Sequence, residues 1–390
     1  SQVKKALKTQ SRGFVEVAAI DRAYKDARAA QDAAGRQVRG EIEREQARLQ
    51  EQVRALTESK VEGVIFNPDT SISVDAVGYP HVVEDAEGRV DTVFPVTGNL
   101  RHLCETLGIG IQRNLMTHST EIRIPGYTFA SDDPDNHADE CLRDICILSG
   151  LPTERLPGMV GRMANELQYH PMVEWLKTLG HWDGVSDWIG QLCRFIEVPE
   201  GHEASRDMFV RKWLIGGIAL LKGWREHQPR SVLTLAGSQN IGKTSLLRTL
   251  CPAPEWFLEG HLLQPGDTDS ERQFASHFMV ELGEVDSTFR KSDIAALKAF
   301  ISKGRDLLRM PYARKPVSWK RRTLPCASVN EMDFLVDQTG NSRFWPVEVL
   351  SVDFEGLNGF VAVGGISGVW QQANGLYDRG ESWWLEDDVE

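Results

Sequence analysis

The stretch Gly237-Ser238-Gln239-Asn240-Ile241-Gly242-Lys243-Thr244 satisfies the pattern G-x-x-x-x-G-K-[ST] in full, and Ser245 follows it. Glycines at the turn let backbone N–H groups crowd around an oxyanion. A lysine adds a mobile positive charge, and a hydroxyl at the end can reach a hard cation. The flanks decide whether such a match carries chemistry. Ser231-Val232-Leu233-Thr234-Leu235-Ala236 reads as a buried strand, and Ser245-Leu246-Leu247-Arg248-Thr249-Leu250 reads as a helix that stops before Pro252. A buried strand, a glycine turn and a helix with its positive N-terminal end aimed at the same anion together form a phosphate cradle. Residues 237–245 are therefore expected to bind ATP, with Lys243 on the β- and γ-phosphates and Thr244 holding Mg2+.

Hydrolysis needs a carboxylate at the end of a neighbouring strand. About forty residues on, His277-Phe278-Met279-Val280-Glu281-Leu282-Gly283-Glu284 supplies a short buried strand with Glu281 at its end and Glu284 three residues later. Glu281 is the first choice for the Walker B carboxylate and metal ligand. Either Glu281 or Glu284 could activate water, and that choice stays open at this level. A third strand, Thr323-Leu324-Pro325-Cys326-Ala327-Ser328-Val329, ends in Asn330, whose amide could orient the attacking water. Arg343 opens a last strand, Phe344 to Leu350, after a Gly-Asn turn. It reads either as an arginine finger for a neighbouring subunit's nucleotide or as a surface arginine paired with Asp337.

Between the acidic strand and Asn330, residues 309–322 hold six basic residues and no acidic one. Tyr312 and Trp319 interleave with the cations. Cations that follow a phosphate backbone, with aromatic faces for stacking, suit single-stranded nucleic acid. Arg314, Lys315, Trp319, Lys320, Arg321 and Arg322 are accordingly expected to contact DNA.

The elements that hold these residues sit in a chain of 390 residues, long enough for several domains. The fold class expected is α/β: a P-loop ATPase core at 230–350, with a helical lead-in at 161–229 and a C-terminal helical tail at 351–390. A small α+β region at 61–160 and a helical segment at 1–60 precede them. Within the latter, Ile42, Leu49, Val53 and Leu56 form one stripe, fit for a linker or an oligomerisation helix. Residues 81–94 read as a hairpin, 99–107 as a short helix and 121–124 as a strand. Trp383-Trp384 reads as a docking anchor. With 44 Lys and Arg against 56 Asp and Glu, the net charge is −12, so the surface as a whole repels nucleic acid and only the local basic segment can hold it. No apolar run reaches the ~18–20 residues needed to span a bilayer. The six cysteines lack CxxC spacing, which argues against a disulfide framework or a zinc site and for the cytoplasm.

The order of these motifs resembles the virulence-associated E family, the superfamily 3-like AAA+ helicase half of phage and mobile-element primase-helicases. His170-Pro171, Trp175-Leu176 and Trp182-Asp183-Gly184 are similar to its lead-in. The P-loop, Val280-Glu281-Leu282-Gly283-Glu284, and Leu297 to Ser302 with Asp306, Arg309, Pro311 and Tyr312 follow in the family's order. Thr339-Gly340-Asn341-Ser342-Arg343-Phe344-Trp345-Pro346-Val347 resembles its "tGNRRFWPV". Where the family shows two arginines, this chain has Ser342-Arg343, so the finger role is carried to Arg343. The resemblance implies an AAA+ core and a homo-oligomeric ring, a hexamer, with ATP sites between subunits. It also implies single-stranded DNA in the channel, a primase or another replication partner, and the bacterial host cytoplasm. An AAA+ loader that remodels a protein without unwinding is the main alternative. A P-loop kinase is a weaker one, since it leaves the basic segment without a role.

Overall fold

Apolar residues flanking a tight acidic turn build the first hairpin. Strand β1 (Val82–Glu84) pairs antiparallel with β2 (Val90–Val93), and Asp85 Oδ1 accepts from the N–H groups of Glu87 and Arg89. The computed structural model describes residues 77–127, 134–224, 227–283, 291–308, 317–330 and 343–385, all within the unit Pro68–Glu390. The stripe expected within 1–60 lies outside them. After the hairpin, α1 (Thr97–Leu107) buries Leu100 and Leu103 and stops at Gly108, whose φ of 67° suits a residue without a Cβ. Strands β3 (Gly110–Asn114) and β4 (Thr120–Arg123) pair antiparallel; α2 (Pro134–Leu148) and α3 (Leu156–Glu166) pack on them. Then β5 (Gln168–Tyr169) joins β3 in parallel, which completes a three-stranded sheet.

Helices α4 (Pro171–Thr178) and α5 (Trp188–Cys193), strand β6 (Ile196–Glu197) and the long α6 (Glu203–Lys222) lead into the core. The core follows in the order β7 (Val232–Ala236), α7 (Lys243–Leu250), β8 (Phe257–His261), α8 (Thr268–Ala275), β9 (Met279–Leu282) and α9 (Lys291–Ile301). The hairpin strands β10 (Arg305–Leu308) and β11 (Val317–Lys320) come next, then β12 (Leu324–Val329) and β13 (Phe344–Glu348). Strand β14 (Ser351–Val352) and helices α10 (Phe354–Ala362) and α11 (Gly365–Asp378) close the described chain.

Five strands form one parallel sheet in the order β13-β7-β12-β9-β8. The strand that feeds the glycine loop is therefore separated from the acidic strand by β12, the AAA+ arrangement. Parallel sheets bury both faces, and the two-residue period of β7 shows how. Leu233 and Leu235 face a core with Trp213 of α6 and Trp370 of α11; Val232 and Ala236 face Phe274, Leu297 and Phe300 of α8 and α9. Trp213 and Trp370 are fully buried. At about 25 cal/mol per Å2 over 150–250 Å2, each stabilises the core by about 4–6 kcal/mol at most. Their indole N–H groups donate to the carbonyls of Pro325 and Leu250, each at 2.9 Å, which removes the penalty of burying them.

The C-terminal helices pack against the lead-in: α11 lies on α5 and α6, and β14 pairs antiparallel with β6. Trp383 is buried, stacks on Tyr377 and donates to the carbonyl of His227 at 2.9 Å, while Trp384 lies against the His227 ring. The tryptophan pair is thus an anchor. Among the described residues, no helix is long and apolar enough to cross a membrane.

Candidate functional site

The loop after β7 takes the shape its glycines permit. A Cβ on Gly237 would run into the Val349 carbonyl, and one on Gly242 into the ring of Phe354. Gly242 also has a φ of 91°, and Asn240 sits at 65°, so the loop turns through left-handed backbone twice before α7 begins at Lys243. Ser238, Gln239 and Asn240 are exposed, as is Ser245; Ile241 is half-buried. Lys243 is buried and curls back under the loop. Its Nζ donates to the carbonyls of Gly237 at 2.7 Å and Ser238 at 2.8 Å, and lies 3.4 Å from Asn330 Oδ1.

The parallel register brings the acidic strand to the same edge. Glu281 is 3% exposed, and its Oε1 accepts from Thr244 Oγ1 at 2.7 Å and from Ser328 Oγ at 2.6 Å. Cys326 of β12 stands opposite Glu281, so Ser328, two residues on, points its hydroxyl along the same face. A buried carboxylate is costly unless it is hydrogen-bonded; the two hydroxyls meet that need at Oε1. The expected residues Lys243, Thr244, Glu281 and Asn330 therefore converge, and Ser328 joins them unforeseen. Its one signal in the sequence is a lone hydroxyl in the otherwise apolar run Cys326 to Val329. Glu284 lies outside the described residues.

Arg343 is elsewhere. It precedes Phe344, which pairs with Val232 at the start of β7, and its carbonyl accepts from the Val232 N–H at 2.7 Å. At ~3.3 Å per residue it stands roughly 20 Å along the strand axis from the loop. Its guanidinium donates from Nε to Ser302 Oγ at 2.7 Å. Burial, and then the neighbouring Arg230, hold its pKa below the ordinary value. Arg343 cannot reach the glycine loop of its own chain. Asp337, the alternative partner, lies outside the described residues.

The basic segment forms a hairpin in which Asp306 of β10 pairs with Trp319 of β11. Two expectations need correction there. Arg321, expected to face DNA, is 3% exposed. It is a fork onto buried Asp306 through Nε and Nη2, donates to the Phe300 carbonyl, and stacks 4.1 Å from the Phe300 ring. Its charge is spent inside the core. Trp319, expected as a stacking face, is half-buried and lies 4.2 Å from the His118 ring, which occupies that face. Lys320 is exposed and Arg322 is half-buried; Arg314 and Lys315 lie outside the described residues. No group of three or more His, Cys, Asp or Glu fit for a metal is found among the described residues. Thr244 and Glu281 offer two hard oxygen donors.

Comparison with known proteins adds a family. Residues 176–390 match the virulence-associated protein E-like domain, more than half of the chain. Among solved structures, the A form of the apo NrS-1 C-terminal region is similar at 14% identity and a TM-score of 0.41, covering 76% of this chain and 72% of that one. An inhibitor-bound JCV helicase is similar at 11% identity and a TM-score of 0.25, covering 64% of this chain and 79% of that one. No curated protein matches the chain.

Proposed function

The chain belongs to the virulence-associated protein E-like family, and from that premise we propose that it is an ATP-driven helicase of the superfamily 3 type. It assembles as a ring, hydrolyses ATP at the seam between two copies and draws single-stranded DNA through the centre. The observation that carries this reading is the split of polar machinery between two edges of one parallel sheet. Lys243, Thr244, Glu281, Ser328 and Asn330 lie together at one edge and Arg343 at the other. A guanidinium that stabilises the transferring γ-phosphoryl must touch it. Arg343 meets that condition only for a site on an adjacent copy.

Within the site, Lys243 exchanges the carbonyls of Gly237 and Ser238 for β- and γ-phosphate oxygens. Asn330 holds the attacking water. Glu281 Oε1 is engaged by two hydroxyls, and we assign the water's proton to Glu284. The water oxygen bonds to the γ-phosphorus as the bond to the bridging oxygen breaks, ADP leaves with that electron pair, and the proton passes to the Glu284 carboxylate. Thr244 Oγ1 and the Glu281 carboxylate, 2.7 Å apart, are the oxygen donors that would hold Mg2+. When bound, that ion neutralises charge across the β- and γ-phosphates.

A labelled fork tests the reading. The wild-type chain should release the displaced strand with ATP, and Lys243→Ala should neither hydrolyse ATP nor release it. ATP hydrolysis without strand release by the wild type would favour a loader over a helicase.

A further inference from the structure

Five buried side-chain nitrogens without a hydrogen-bond partner gather where the three-stranded sheet meets the foot of the basic hairpin. They are Nε of Arg113, Nδ1 of His118, both ring nitrogens of His170 and Nε1 of Trp319. His118 and His170 are each only 3% exposed. The groups are neighbours: Arg113 Nη1 donates to the His118 carbonyl at 3.1 Å, and the His118 ring lies 4.2 Å from Trp319. The Leu115 N–H donates to the carbonyl of Tyr169, the residue before His170. His118 itself sits at a φ of 60°, a left-handed backbone conformation uncommon outside glycine, in the turn between β3 and β4.

The chemistry at this joint is rich in donors. Indole and guanidinium nitrogens only donate, and each neutral imidazole donates from one nitrogen and accepts at the other. Arg322 adds a second half-buried guanidinium, whose one hydrogen bond is a long 3.5 Å contact to the Lys320 carbonyl. Burial lowers the pKa of both Arg113 and Arg322, with no carboxylate among the described residues acting in the other direction. Among the described residues, Arg113 Nη2 finds only the Thr120 hydroxyl at 3.3 Å beside the His118 carbonyl, so desolvated cations and orphaned donors outnumber the acceptors, an expensive arrangement. What the joint lacks is an anion with several oxygens.

We propose that this joint is a phosphate-binding site for a backbone phosphate of single-stranded nucleic acid, held by Arg113, Arg322 and the Trp319 N–H, with His118 and His170 beneath it. Arg113 and Arg322 are half-buried, so both keep part of their surface in reach of solvent. The source of the phosphate follows from its place. Strand β11 follows the 309–316 segment, basic in sequence through Arg314 and Lys315, and ends at exposed Lys320 with Arg322 two residues on, so a nucleic-acid strand tracking β11 arrives at this joint. The inference rests on the proposed function, and it gives the N-terminal sheet a part in holding the strand.

The test is binding of a labelled oligothymidylate to the full chain by anisotropy, without nucleotide, at several salt concentrations. Each phosphate contact on a single strand contributes about 0.7 to the slope of log affinity against log salt. Arg322→Gln and Arg113→Gln should each lower the slope by about 0.7 and weaken binding several-fold. Arg322→Lys should recover the slope. Trp319→Phe, which keeps an aromatic ring beside His118 but removes the indole N–H with part of the ring, should weaken binding with the slope unchanged, and a cooperative thermal melt verifies each fold. Slopes and affinities equal to wild type in all four variants would overturn the site. Protection of the Lys243→Ala chain against heat by inorganic phosphate, lost in an added Arg322→Gln but with unaltered strand binding, would mark a free-anion site and overturn the strand as ligand. Failure of the wild-type chain to bind the oligonucleotide at all refutes the proposed function, a different result from equal slopes.

Discussion

The two buried histidines make the fold acid-sensitive in a measurable way. Burial, then Arg322 and Arg113, pushes His118 from 6.5 down to about 4; burial, then Arg322 and His118, pushes His170 down to about 3. Both folded-state values lie below the unfolded one, so the unfolded chain binds more protons. Stability is therefore complete above pH 6.5 and is lost as pH falls toward those folded values. Over the interval from 6.5 to a working pH of about 5, at about 1.4 kcal/mol per unit, each histidine costs about 2 kcal/mol and the pair about 4. The assay is urea unfolding at pH 7.5 and pH 5 in phosphate-free buffer, since a bound anion would raise both values. His170→Leu should lose about 2 kcal/mol less than wild type on acidification, because it removes one of the two titrating groups; both ring nitrogens of His170 lack partners, so an apolar side chain leaves nothing unsatisfied there. An identical acid loss in wild type and variant would refute the reasoning.

Ser328→Ala removes one of the two donors to buried Glu281. A hydrogen bond to a charged group is worth about 1.5–3 kcal/mol, so kcat/KM for ATP should fall about 10- to 100-fold, and Ser328→Thr should recover most of it. Asp306→Asn breaks the buried pair with Arg321. It should destabilise the fold by about 3–5 kcal/mol, read as a lower thermal midpoint.

The glycine loop was legible because its residues are consecutive and its neighbours in sequence are its neighbours in space. Strand, turn and helix occur in one run from Val232 to Leu250, and the later strands follow in order. Ser328 was not legible, since only the parallel register sets its hydroxyl beside Glu281, 47 positions away. The basic segment misled for a physical reason. A run of cations reads as a solvated face, yet Arg321 turns inward because Asp306 and the Phe300 ring offer it a compensated site. The contact of His118 with Trp319 joins residues two hundred positions apart, beyond the reach of any local pattern.

The seam between copies is tested most directly by mixing two inactive variants, Lys243→Ala and Arg343→Ala. A shared site needs Lys243 from one chain and Arg343 from the next, so random mixing in equal amounts leaves about one interface in four with both groups intact. The account predicts that each variant alone is silent and that the mixture recovers about a quarter of wild-type ATPase activity. A mixture as silent as its components, or an Arg343→Ala chain as active as wild type, would contradict it.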